Sequence, residues 1–486
     1  MGVVLKQSFK NTIITFAAFG LGGINTLFLY TNFLTEEYYG LVTFLLSAAN
    51  LIMPLTAFGV QYSIIKFFSA YTSKIERDRF LSFSLLLPLL IAIPFGFLGT
   101  VFYEQISILL SEENPIIKDY TWVIYLVAIA TAYFEIFYAW AKVQMQSVYG
   151  NVLKEMFSRF MATILLLCVF FELIDQIDFV FYLTAGYFLR TLVMMLYALK
   201  LYKPQITLQL PENYKEVFKY AAYIILAGSA GAILLDIDKF MIPQQEAIEL
   251  TAYYAVGVYI ASVIEAPGRA MAQIVQPITA KALNENNMDE INRLYKSTSI
   301  NLLLICGLFF LLINLNINQL YLLIDQKYSG GVLVVLMISF AKLYTMALGN
   351  NGAIISNSKH YKIMLPYGIA MAFSVTYLNI WLLDLYGMNG AALSTLIVLL
   401  FFNTVKLWYV KYKFNIQPFN KKTLILALVV LLLYSAFFFW EFSFHPILNI
   451  GIKGSLITLL YLLLMYTLNI SKEVNTIINK LIKNNQ

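Results

Sequence analysis

The chain has 486 residues, of which 60% are hydrophobic and only 12% charged, with a mean hydropathy of +0.73; a water-soluble protein carries about twice that charge density. At ~20 apolar residues per spanning helix the hydrophobic runs supply roughly fourteen crossings with short loops, which excludes a large soluble domain. The net charge of +6 does not imply a nucleic-acid partner, because Lys and Arg gather at cytoplasmic helix ends in any inner-membrane protein.

In chain order, hydropathy predicts membrane helices at about 9–33, 39–64, 80–103, 119–140, 150–171, 178–198 and 217–236, then at about 250–280, 297–316, 331–355, 363–382, 389–410, 422–440 and 449–469. With the first residues in the cytoplasm, nearly every basic residue falls on the inner side, from Lys6 and Lys10 through Arg190 and Lys406 to Lys483. Only Lys118, Lys239, Lys327 and Lys453 fall outside, and Arg269 and Lys342 lie within spans. A missed or invented helix would invert this pattern, so the expectation is an all-α polytopic protein of fourteen helices with both termini cytoplasmic. The first apolar segment is too long for a signal peptide and is expected to remain as a helix. From Ser471 the chain predicts an amphipathic tail with Val474, Ile477, Ile478, Leu481 and Ile482 on one face, lying on the inner leaflet.

An internal repeat is legible. Tyr38-Tyr39 open a polar-flecked segment ending in Val60-Gln61, and Tyr253-Tyr254 open another, at the same spacing, ending in Val275-Gln276; each holds a proline, Pro54 and Pro267. Two six-helix lobes, 1–204 and 205–412, would then run in the same direction around a central cavity, with helices 13 and 14 and the tail, 413–486, as an addition.

Much chemistry is excluded. Cys168 and Cys306 both lie in apolar runs, so a disulfide framework or Cys-ligated metal is not expected, and His360 and His445 are too few for a histidine metal site. There is no Gly-Lys dipeptide, hence no phosphate-binding loop, and no G-x-S-x-G or HExxH motif. No enzyme and no cofactor are expected.

What remains are ionisable groups inside spans, which cost at least ~2.5–3.5 kcal/mol each on insertion scales and therefore face a partner or a cavity. Glu265 and Arg269, one helical turn apart around Pro267, form either a structural pair or a ligand-facing one, in which the Arg269 fork would take a phosphate oxygen. Glu135 in the fourth span and Lys342 in the tenth could pair across helices. Asp236, Asp238 and Lys239 read most simply as a solvated helix end, with a gating or lobe-interface role as the alternative. Asn350 and Asn351, before Gly352, interrupt the tenth span and mark a candidate hinge.

The run from Phe33 to Val42 (Phe-Leu-Thr-Glu-Glu-Tyr-Tyr-Gly-Leu-Val), with Ser47, Pro54-Leu55, Gly59 and Ile64-Ile65-Lys66-Phe67, resembles the opening of Wzx-type polysaccharide-biosynthesis (O-antigen) flippases of the multidrug/oligosaccharidyl-lipid/polysaccharide exporter superfamily. Asp236-Ile237-Asp238-Lys239-Phe240, Tyr253-Tyr254-Ala255-Val256 and Pro277 resemble that family's seventh and eighth helices. The resemblance, over roughly residues 8–410, implies alternating access that carries an undecaprenyl-pyrophosphate-linked oligosaccharide across the cytoplasmic membrane. Its implied partners are that glycolipid, membrane lipids and the polysaccharide polymerase machinery. By position Arg269 and Lys342, with Glu265 and Glu135, are the residues to hold the substrate. Lipid II flippases also place arginine in the first two helices, where this chain has Lys10, Asn11, Asn25 and Asn50. A cation-coupled multidrug exporter of the same fold would need carboxylates in the N-terminal lobe, where Glu135 is the candidate; proton or sodium coupling is suggested only by Glu265 and Glu135. A membrane polymerase or ligase would need a long outer loop, which the sequence lacks.

Overall fold

The computed structural model describes residues 2–470, so the predicted amphipathic tail lies outside the described residues. Among these, every regular element is a helix. Twelve helices are long and apolar enough to cross a membrane. Two more occupy the remaining predicted crossings: one at 148–170, whose charges Lys154, Glu155 and Arg159 dilute its hydropathy, and Lys421–Phe437, of only 17 residues. Large apolar side chains point outward, with Leu90, Ile93 and Phe97 more than 60% exposed on one helix. Such a surface is stable only in hydrocarbon. The chain is a multi-pass membrane protein.

The elements used below are α1 (Lys10–Phe33), α2 (Glu36–Ala57), α3 (Val60–Phe67), α4 (Lys74–Val101), α5 (Ile117–Val143), α6 (148–170), α7 (Gln176–Leu201), α8 (Tyr214–Met241), α9 (Glu249–Ser262), α10 (Ala266–Asn284), α11 (Met288–Asn314), α12 (Val332–Ala347), α13 (Asn351–Ser356), α14 (Met364–Tyr386), α15 (Met388–Phe414), α16 (Lys421–Phe437) and α17 (Pro446–Thr467). They divide into two compact units, one of residues up to 255 with 368–391, the other of 256–367 with residues from 392 on.

In unit 1, α2 packs against α5 and α8, and α7 lies along α5. α2 begins where Thr35 caps it, its hydroxyl accepting from the Tyr38 N–H, with Glu36 and Glu37 in the positively polarised first turn. The predicted second span is not one helix. It runs through Pro54 and breaks at Phe58 and Gly59, both left-handed, with φ of 47° and 66°. A Cβ on Gly59 would stand 2.6 Å from the Ala221 carbonyl oxygen, so only glycine allows this approach of α8. The core beside it is aromatic, with Phe80, Phe134 and Trp140 wholly buried.

In unit 2, α11 packs against α10, α12, α16 and α17. Cys306, Leu311, Ile457 and Tyr461 form the centre, where the Tyr461 hydroxyl donates to the Leu304 carbonyl at 2.8 Å. Both cysteines are free thiols. The predicted eighth span is also interrupted: α9 gives way to a 3-10 turn, Val263–Glu265, and Pro267 sits in the first turn of α10, where its missing N–H costs least. The predicted tenth span stops early, at Ala347, because Gly349 is left-handed at φ 61°. A side chain there would meet the Thr298 hydroxyl at 2.7 Å.

Candidate functional site

Three of the predicted residues converge in unit 2. The interruption before Pro267 ends at Glu265, and α10 restarts with Arg269 one turn further on. The Arg269 Nη2 stands 3.3 Å from one Glu265 oxygen. The other oxygen lies 2.9 Å from the Nζ of Lys342, which reaches over from α12. Close packing makes this possible: a Cβ on Gly268 would stand 2.3 Å from the Met346 sulfur, so α10 presses on α12 one turn from the lysine. Glu265 and Lys342 are mostly enclosed, with side chains 27% and 15% exposed, while Arg269 is 52% exposed. One carboxylate thus serves two cations and leaves a surplus positive charge, carried on the more accessible guanidinium.

Glu135 and Lys342, a possible pair on the linear chain, each have an ion-pair partner within their own unit. Glu135 is held by Lys154 at 2.6 Å, within unit 1, where the start of α6 comes so close to α5 that a Cβ on Gly150 would stand 2.2 Å from the Tyr138 ring. The reading of Asp236, Asp238 and Lys239 as a solvated helix end is also overturned. Asp236 and Asp238 are only 8% and 7% exposed. Asp236 accepts from Lys239 at 2.6 Å and from Asn50 at 3.2 Å, and Asp238 accepts from Asn379 at 2.7 Å and from the Tyr254 hydroxyl. Polar side chains from α2, α9 and α14 meet these acids, which compensates for their burial.

Asn350 occupies the break after α12 and is pinned from both sides. It donates to the Thr279 hydroxyl at 2.8 Å and accepts from Thr298 at 3.3 Å, tying the break to α10 and α11. Asn351, the first residue of α13, is 7% exposed.

Sequence reasoning missed three cations. Arg190, assigned to an inner helix end, is 5% exposed and makes no ion pair among the described residues. Lys453, assigned to the outer surface, is 1% exposed and donates to the Leu315 carbonyl at 2.6 Å. Lys406 lies over the Tyr367 ring at 4.9 Å and reaches Asn403 at 3.4 Å. The available signal was position, since Arg190 stands eleven residues before the end of α7, too deep for an interfacial arginine.

An apolar cleft completes unit 2. It encloses ≈ 540 Å³ between α11, α12 and α16, within the size range of ligand pockets. Its α12 wall is Leu336, Phe340, Leu343 and Tyr344, on the face of the helix turned away from Lys342; Leu303, Phe310 and Leu431 line it from the other helices.

Residues 4–283 match the family model described as polysaccharide biosynthesis protein. The chain belongs to that family. No curated protein sequence matches the chain significantly. Among solved structures, the lipid II flippase MurJ in an inward closed conformation superposes with a TM-score of 0.72 at 14% identity, covering 95% of this chain and 99% of that one. An inward-facing multidrug resistance MATE family transporter of the MOP superfamily gives 0.59 at 12% identity, covering 83% and 94%. A MOP superfamily transporter from Pyrococcus furiosus, described by the reverse polarity of its binding pocket, gives 0.55 at 14% identity, covering 85% and 95%. The fold is therefore the MOP transporter fold, and these relatives are transporters rather than enzymes.

Proposed function

We propose that this protein is a flippase that moves a polyprenyl-pyrophosphate-linked oligosaccharide, the repeat unit of a surface polysaccharide such as O-antigen, across the cytoplasmic membrane. The observation that carries the reading is the arrangement in unit 2: Glu265 shared by Lys342 and an accessible Arg269 guanidinium, with the α12 helix that supplies Lys342 also forming one wall of an apolar cleft. A pyrophosphate needs bidentate donors and a polyprenyl chain needs a dry apolar surface, and both lie within one unit. Arg269 contacts the phosphate, Lys342 adds charge from behind, and Glu265 holds both side chains until the substrate arrives. Family membership and the MOP fold support the same class of cargo and the absence of an ATP motor. Alternating access of the lobes 1–204 and 205–412, with both termini cytoplasmic, belongs to the proposal, as does delivery to the polymerase machinery on the outer side.

The test is deletion of the gene, followed by recovery of lipid-linked oligosaccharides and assignment of their leaflet. Complete repeat units accumulating on the cytoplasmic face are expected. Restoring the gene with Arg269→Ala should leave the accumulation in place, whereas Arg269→Lys should relieve part of it, since charge survives but the fork does not. Unchanged intermediates together with altered sensitivity to cationic drugs would overturn the reading in favour of an exporter.

A further inference from the structure

Unit 1 holds a second charged layer. α5 contributes Thr131, Phe134 and Glu135, α6 contributes Lys154, Glu155, Ser158 and Arg159, and α7 contributes Tyr187 and Arg190. Two ion pairs are formed, Lys154 to Glu135 at 2.6 Å and Arg159 to Glu155 at 3.0 Å. Both acids are thereby engaged, and Arg190 has none. Its Nη1 donates to Ser158 at 2.9 Å and its Nη2 to Thr131 at 3.4 Å, while its Nε, also buried, meets no acceptor. The guanidinium lies 4.3 Å and 4.7 Å from the ring centres of Phe134 and Tyr187.

Depth makes this arrangement consequential. At 1.5 Å per residue, Arg190 lies about 16 Å from the Leu201 end of α7, and Glu135 about 12 Å from the Val143 end of α5. An unpaired cation there costs ~2.5–3.5 kcal/mol on insertion scales. Two ring faces and two hydroxyls offset that cost without cancelling the charge. The residues named carry three cations against two anions, and Lys142, on the same helix as Glu135 and in electrostatic reach of Glu135 and Lys154, adds to that positive surplus.

The position of Arg190 is specific. Thr131, which it touches, is one helical turn from Glu135 on α5, and Ser158, which it also touches, is one turn from Lys154 on α6. Arg190 thus lies one helical turn beyond the Glu135–Lys154 pair, with both Glu135 and Glu155 in electrostatic reach. Lys154 and Arg159 are partly accessible, at 43% and 32% exposure. Lys154 also sits in a π turn, Leu153–Phe157. Such a turn holds an extra residue, and relaxing it to α-helix rotates the preceding side chains by about 100°.

We propose that Lys154 and Arg159 form a second anion-binding point, for the phosphate of the glycolipid, and that Arg190 positions it by taking over Glu135 when Lys154 turns to the ligand. This rests on the flippase reading. Glu135 then acts as an internal stand-in for the anion: it occupies Lys154 in the absence of ligand, and Arg190 keeps its release from stranding a carboxylate in the membrane.

The experiment measures binding of geranylgeranyl pyrophosphate, and separately of inorganic pyrophosphate, to the full-length protein in lipid nanodiscs. Lys154→Gln with Arg159→Gln should weaken binding of the lipid by at least ~10-fold, the effect of losing a charged contact of about 1.4 kcal/mol. Glu135→Gln should tighten it several-fold, because the competing carboxylate is gone. Arg190→Gln should weaken binding and Arg190→Lys should retain it. In the Glu135→Gln background Arg190→Gln should have little effect, a non-additivity that a merely structural arginine would not produce. Equal losses for both probes would identify the phosphate alone as the recognised group, and losses confined to the lipid would identify the headgroup with its chain; either supports the proposal. Unchanged or weaker binding in Glu135→Gln, or unchanged binding in the Lys154/Arg159 double variant, overturns it. If Arg269→Ala weakens binding while the double variant does not, this inference falls and the flippase reading stands. No binding of the lipid to the unmodified protein removes both.

Discussion

The two charged regions, the triad of unit 2 and the layer of unit 1, compensate their cations in opposite ways. In unit 2 a single carboxylate, Glu265, is shared by Lys342 and Arg269. In unit 1 each acid has its own basic partner and the extra cation, Arg190, is held by hydroxyls and aromatic faces. Removing a cation therefore has different consequences. Loss of Lys342 leaves a mostly enclosed carboxylate with one half-exposed partner, whereas loss of Arg190 strands no acid. Stability and charge surplus are coupled in the first region and separate in the second.

The largest expected effect follows from that coupling. Lys342→Ala should lower unfolding stability by about 3–5 kcal/mol, the cost of breaking a buried pair from one side, and Lys342→Arg should recover most of it; denaturation followed by tryptophan fluorescence in mixed micelles measures both. An unchanged midpoint for Lys342→Ala would show that Glu265 is solvated, and the comparison would collapse. Glu265→Gln should cost less, about 1–3 kcal/mol, since two cations then face a neutral amide that still accepts hydrogen bonds, and transport should fall because both bases lose their anchor. Arg190→Leu should change stability by no more than ~1 kcal/mol, replacing a buried cation by an apolar group of similar length, while transport of lipid-linked oligosaccharide is lost. A fall as large as that for Lys342→Ala would place Arg190 among the groups that hold the fold.

Some of this was legible without coordinates. Glu265 and Arg269 are four residues apart, and helical periodicity alone puts them on one face. Lys342, eleven residues into α12, is too deep to snorkel easily, which favoured a position facing a cavity or a partner. Which acid was a different matter. Glu135 and Glu265 were equally available on the linear chain, and the choice of Glu265 follows from the approach of α10 to α12 at Gly268 and Met346, a contact between segments some eighty residues apart. Asp236 and Asp238 were misread for the same reason. Charged residues next to a helix end are ordinarily solvated, and only the arrival of Asn50, Tyr254 and Asn379 from other helices buries them.

The sequence by itself determined the all-helical, multi-span class. Both traits follow from local quantities: twenty apolar residues cross hydrocarbon, and a backbone in lipid must close its own hydrogen bonds. It also located the weak points at Pro267 and Asn350, because a missing N–H group and amide side chains act on their own turns, but it read through the break at Gly59. Only the tertiary structure decided which charge meets which, because a carboxylate in low dielectric takes the partner that packing brings within about 3 Å. That distance is set between helices far apart in the chain. The same packing left Arg190 without an acid, and it is this residue, rather than any motif, that distinguishes the charged layer of unit 1 from an ordinary set of ion pairs.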